Sequence, residues 1–158
     1  QSKYDFNSLM ELVNIKLREV IREEKSGTYG IRAYGSPSLY PRKEFNVSVS
    51  WGCNPTRVEE LVKTVMEQLD SLKIKKPDQV YVDKVKEIQR RNQEVNLKEN
   101  RFWLSNFRQH YANGENPEEI LDYNKLVDKL TTDAMQAAAK KYFDTKNVVK
   151  VVLFPEKK

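Results

Sequence analysis

At Ser26-Gly27 the spacing of apolar residues changes from helical to alternating, and this change of period commits the chain to a fold that mixes helices with strands. Before it, Leu9, Leu12, Val13, Leu17, Val20 and Ile21 recur at three- and four-residue steps, which predicts a one-faced helix over about Asn7 to Lys25. After it, Tyr29, Ile31 and Ala33 alternate with Thr28, Gly30, Arg32 and Tyr34, as a strand does. A second strand puts Phe45, Val47, Val49 and Trp51 on one face and Asn46, Ser48, Ser50 and Gly52 on the other. The stretch from Ser36 to Lys43 carries Pro37 and Pro41 and suits a long hairpin loop, so the two strands form an antiparallel pair.

The remainder reads as helices until the end. Asn54-Pro55 is a cap followed by proline at the first helical position, and Val58, Leu61, Val62, Val65, Leu69 and Leu72 mark a helix to about Leu72. From Asp78 to Ala112 there is neither proline nor glycine, which predicts a long helix or a kinked pair. Its middle, Gln89 to Asn100, is apolar only at Val95 and Leu97, so that stretch is expected to be largely exposed or to face a wet cavity. Asn113-Gly114 ends it, Asn116-Pro117 opens another helix, and Thr131 caps a last one. Val148 to Phe154 is a nearly continuous apolar run stopped by Pro155 and reads as a strand buried on both faces. The order defines an α+β class, a small antiparallel sheet packed by helices, in one domain spanning residues 1–158. Three strands are few for this much helix, so the expectation is a fragment whose further strands lie upstream.

The 158 residues are 39% apolar and 32% charged, with a mean hydropathy of -0.76: a folded domain with a heavily solvated surface, not a disordered chain. One cysteine, Cys53, excludes an internal disulfide, and one histidine, His110, excludes the HExxH and HxxEH zinc motifs. No run approaches the roughly 18 apolar residues of a bilayer span, and the first residues have no apolar signal core. The net charge of +5 is that of a soluble surface.

Candidate chemistry is sparse. His110, near the end of the long helical region, reads as a histidine favoured by the helix dipole, and Cys53 as a small packed thiol with no histidine near it in sequence. Tyr29, Tyr34, Tyr40, Phe45 and Trp51 with Arg32, Arg42 and Lys43 resemble a base-stacking platform, yet the Gly-aromatic pattern of RNA-recognition motifs is missing and an ordinary sheet core explains them. The stretch Arg22 to Tyr29 is more distinctive, because a helix end, a glycine break and a strand opening let Arg22 and Tyr29 point at one spot. Spacing alone favours the plainer reading, in which Arg22 pairs with a carboxylate and Tyr29 fills the core.

Taken in order, several stretches resemble the pitrilysin-like M16 zinc peptidases. They are Leu17-Arg18-Glu19 through Ile21-Arg22-Glu23-Glu24 to Gly27-Thr28-Tyr29-Gly30, then Cys53-Asn54-Pro55 with Val58-Glu59-Glu60-Leu61, and Asn100-Arg101-Phe102-Trp103-Leu104. Asn116-Pro117-Glu118-Glu119, Leu130-Thr131-Thr132-Asp133 and Val151-Val152-Leu153-Phe154-Pro155 continue the series, so the resemblance covers nearly the whole chain and is closest to the C-terminal, non-metal portion of a bacterial zinc protease. It implies a ferredoxin-like α/β roll, with paired halves enclosing a chamber for unfolded peptides.

It further implies zinc in the parent enzyme, held on an HxxEH motif in an N-terminal half. None is expected on this chain, which alone is expected to be inactive. The expected partners are a peptide substrate and that catalytic half, with no nucleic acid and no membrane insertion; a bacterial periplasm or envelope is the implied location. By position, Arg22 would hold the peptide backbone and Tyr29 would hydrogen-bond near the scissile carbonyl. Many relatives have glycine four residues after the arginine, where this chain has Ser26, with Gly27 following. A non-catalytic structural or peptide-binding subunit of the same fold is the alternative.

Overall fold

The computed structural model describes residues 2–28, 30–38 and 40–156. The chain forms α1 (Ser2–Leu17), β1 (Ile31–Ser38), β2 (Glu44–Trp51), α2 (Val58–Ile74), α3 (Gln79–Asn96), α4 (Asn100–Asn113), α5 (Tyr123–Asp128) and α6 (Thr132–Tyr142). This is the expected α+β architecture: one antiparallel hairpin packed by helices. The core gathers on α1, whose Phe6, Leu9, Leu12, Val13 and Leu17 are fully buried against β1, α2, α3 and α6.

The helix ends follow local chemistry. Asn54 accepts from the Thr56 amide at 3.0 Å, Asn116 from Glu118 at 3.0 Å and Thr131 from Ala134 at 3.1 Å, so each predicted cap satisfies an amide that the helix itself leaves unpaired. The first two open a 3-10 turn, Pro55–Arg57 and Pro117–Ile120. Gly114 closes α4 in the left-handed conformation at φ 67°. His110, one turn before it, sits with Nδ1 2.8 Å from the Asn106 carbonyl, a local helix contact.

The hairpin register is as the alternation predicts. Ile31 faces Trp51, Ala33 faces Val49, Gly35 faces Val47 and Pro37 faces Phe45, which keeps the apolar row on one side. The strands extend further into the loop than expected, through Pro37 and Ser38, because proline is tolerated where a strand has a free edge. Gly35 lets α1 approach: a Cβ there would lie 2.5 Å from the Phe6 ring and 2.7 Å from Met10 Cγ.

Two expectations are corrected, the course of the first helix and the terminal strand, and two are met with added detail. The single helix over residues 7–25 begins earlier, at Ser2, and α1 widens into a π-helical turn over Arg18–Glu24; its wider winding appears as Lys25 N–H to Val20 O at 3.1 Å. The long region from Asp78 splits into the kinked pair α3 and α4, where Leu97 to Glu99 make turn bonds and Trp103 Nε1 donates to the Leu97 carbonyl at 2.9 Å. Within Gln89 to Asn100 most residues are exposed, but Gln89 and Gln93 are buried one turn apart. Tyr4 donates to Gln89 Oε1 at 2.6 Å, Gln89 donates to Ser8 at 2.8 Å, and Gln93 donates to the Ile120 carbonyl at 3.1 Å, so burial costs these amides no hydrogen bonds.

Finally, Val148 to Phe154 is neither a strand nor buried. A strand apolar on both faces needs neighbours, and among the described residues the sheet holds β1 and β2 alone.

Candidate functional site

The site residues lie between α1 and the hairpin. Ile21 is fully buried and anchors the π-helical turn, while Arg22 beside it is exposed. No carboxylate among the described side chains pairs with Arg22, so the guanidinium is presented outward. Tyr29 lies outside the described residues. Its neighbours fix the chain on either side: Thr28 Oγ1 donates to the Gly30 carbonyl at 2.9 Å and accepts from the Gly30 amide at 3.1 Å.

Two helices brace this turn. From α3, Tyr81 donates to Glu19 Oε2 at 2.6 Å and Lys84 Nζ lies 3.1 Å from Oε1. Burial alone would raise the Glu19 carboxyl, but these donors outweigh it and hold the group below its usual range. At the start of α2, Arg57 Nη1 donates to the Lys25 carbonyl at 3.0 Å and to that of Ser26 at 3.4 Å, and its other nitrogens hold Glu60 at 3.1 Å. Hydrogen bonds from Arg57 and Lys25 in turn lower the Glu60 carboxyl. Arg57 is the residue that sequence reasoning missed, since the carbonyls it holds, those of Lys25 and Ser26, stand more than thirty positions away.

The departure at Ser26 has a geometric resolution. Ser26 itself takes the left-handed conformation, φ 47°, that glycine adopts without cost. Gly27 is needed for space instead, since a Cβ there would lie 2.6 Å from Leu61 Cδ2 and 3.2 Å from the Ile21 carbonyl. The Gly27 amide donates to that carbonyl at 2.8 Å, which closes the turn.

The strands then open onto a shallow depression of about 440 Å³, lined by Gly30, Ile31, Arg32, Ser50, Trp51 and Gly52. Backbone, an indole and a guanidinium at the mouth of a hairpin suit an extended polypeptide better than a small molecule, which needs an enclosed pocket. The donor set does not fit a zinc site: one imidazole and one thiol exist in the chain, and no group of three potential ligands forms among the described residues. Cys53 packs half-buried against the core. No described helix is long and apolar enough to cross a membrane.

These features match the fold of M16 peptidase domains. A protease from Helicobacter pylori superposes with a TM-score of 0.76 at 18% identity, over 90% of this chain and 35% of that one. The periplasmic protease PqqL from Escherichia coli gives 0.71 at 17%, over 89% and 16%. A peptidase M16 inactive domain from Pseudomonas fluorescens gives 0.70 at 16%, over 87% and 34%. In sequence, 72 residues, 46% of the chain, are 33% identical to the probable zinc protease PqqL of Haemophilus influenzae. The matched part spans 8% of that protein. No family model matches. The chain thus shares the fold of these protease domains, and it spans about a third or less of the proteins it resembles.

Proposed function

We propose that this chain is the C-terminal, substrate-positioning domain of a zinc-dependent endopeptidase acting on unfolded peptides, with zinc and its HxxEH motif on an upstream half of the same polypeptide. Arg22 holds a backbone carbonyl of the peptide through its planar donor array, and Tyr29 donates a hydrogen bond to the oxyanion that develops at the scissile carbonyl. The observation that carries the reading is the exposed Arg22 on a turn braced by Arg57, Tyr81 and Lys84, beside a hairpin mouth open to an extended chain. The E. coli relative's description as periplasmic supports the same compartment for the parent.

The test is peptide hydrolysis by the full-length parent and by the 158-residue chain. The parent is expected to cleave unfolded peptides and to stop on chelation of its metal, and the chain alone to cleave none. A parent lacking HxxEH, or inactive with its metal in place, would favour the non-catalytic reading, which the relative described as an M16 inactive domain keeps in view.

A further inference from the structure

The hairpin gives one face to the core and turns the other outward. Ala33, Val47, Val49 and Trp51 pack against the core, so alternation sets Arg32 and Tyr34 of β1 and Ser48 and Ser50 of β2 on the opposite, exposed face. In register Arg32 stands opposite Ser50 and Tyr34 opposite Ser48, which brings the facing Cβ atoms to roughly 4.5–5.5 Å. Arg32 is the sole charged residue within 30–38 and within 45–52. Among the described residues no carboxylate pairs with it. It lines the depression of about 440 Å³ together with Ser50 and Trp51, and no acid shares that lining. A fork of N–H donors, a hydroxyl and an indole thus meet at one hollow whose charge is unanswered.

We propose that Arg32, with Ser50 beside it, is a specificity residue that receives the carboxylate of an aspartate or glutamate side chain of the peptide. The inference rests on the peptide-binding role of the proposed function and names its substrate class, peptides acidic near the cleaved bond. A guanidinium offers paired donors that match the two oxygens of a carboxylate, and a serine hydroxyl adds one more. An exposed ion pair by itself contributes little, so the added hydroxyl and the walls of the hollow are what lift this contact above that of a solvated charge. Arg32 follows Tyr29 by three residues, so their Cα atoms lie within about 11 Å of each other. An extended peptide advances about 3.3 Å per residue, which places its acidic residue within about four residues of the bond held at Tyr29. The net charge of +5 attracts an acidic peptide without regard to position, whereas Arg32 acts at one position.

Peptides amidated at the C-terminus test this on the full-length parent. One extended sequence carries a single glutamate moved along it, and each version is compared with its glutamine counterpart. Binding is read by fluorescence anisotropy before cleavage sets in, and kcat/KM on the same peptides. Glutamate should bind at least about fivefold tighter than glutamine at one position or two adjacent ones, and at no others. Arg32→Gln should bring that ratio to about one, and Ser50→Ala should reduce it by about two- to threefold. Arg32→Glu should invert the preference, so that a lysine at the same position binds better than glutamate. Melting temperatures report that the variants are folded, and the wild-type ratio is a test that needs none of them. A ratio near one at every position, a gain spread evenly along the peptide, a gain seen only with a free C-terminus, or a preference that Arg32→Glu leaves intact would overturn the proposal. Hydrolysis separates the two ideas: positional preference in binding without hydrolysis removes the peptidase reading alone, and hydrolysis indifferent to the glutamate removes the Arg32 subsite alone.

Discussion

Asn14 of α1 engages both backbone polar groups of Ala33 in β1: Nδ2 donates to the Ala33 carbonyl and Oδ1 accepts from its amide, each at 2.8 Å. One side chain thus acts as a third strand along the hairpin edge and fixes its height against α1. Asn14→Leu should lower stability by about 2–4 kcal/mol, because two backbone groups lose their partners at once. Asn14→Asp should cost at least as much, since it keeps the acceptor but turns a carboxylate oxygen on the Ala33 and Met10 carbonyls, to which Nδ2 donates. Urea unfolding of the three proteins checks the order.

At the turn that carries Arg22, neighbouring residues should respond with opposite signs. Ser26→Gly should stabilise by about 0.5–1 kcal/mol, because it relieves a left-handed residue at some entropic cost in the unfolded chain. Gly27→Ala should cost about 1–3 kcal/mol, because the new methyl meets both methyl groups of the fully buried Leu61 and the Ile21 carbonyl. Thermal melts of both variants decide whether the glycine at 27 serves space and not conformation.

Glu11 gives a pH signature. Burial pushes its carboxyl up to about 7, against a hydrogen bond with Gln89 that lowers it, and Oε2 has no partner. Tyr4 and Tyr123 are raised mainly by burial, with the Glu11 charge adding to it. The folded state therefore holds the proton more tightly than the unfolded one. Its stabilising contribution is complete below the ordinary value of 4.5 and disappears as pH rises through about 7. Glu11→Gln should remove that slope, so the variant gains on the wild type between pH 4 and pH 7.5 in urea midpoints, a window spanning those two values. Parallel midpoints across that range would contradict the assignment.

What the sequence made legible was local. Asn54, Asn116, Thr131 and Gly114 declare their helix ends because each acts on amides or carbonyls within a few residues. The hairpin register follows from alternation alone. The π-helical turn was invisible, since seven residues carry too few apolar positions to separate a wide winding from an ordinary one. Gln89 and Gln93 read as solvated because their partners Tyr4, Ser8 and Ile120 lie far along the chain. The candidate site was legible only in part: Arg22 and the glycine break stand out in the sequence, whereas the Arg57 and Tyr81 braces depend on packing between helices. Val148 to Phe154 has the composition of an inner strand and lacks neighbours to make it one.

The most direct test of the central claim is steady-state kinetics of Tyr29→Phe and Arg22→Ala in the full-length parent, with melting temperature and zinc content read on the same samples. If Tyr29 donates to the transition-state oxyanion, Tyr29→Phe lowers kcat by about 10²–10³-fold with the fold intact. Arg22→Ala should act mainly by raising KM, because its contact to a backbone carbonyl is equal in ground and transition states. Zinc content should be unchanged in both. Normal turnover by the Tyr29→Phe enzyme, or losses in both variants that follow melting temperature alone, would contradict the account and leave the two residues structural.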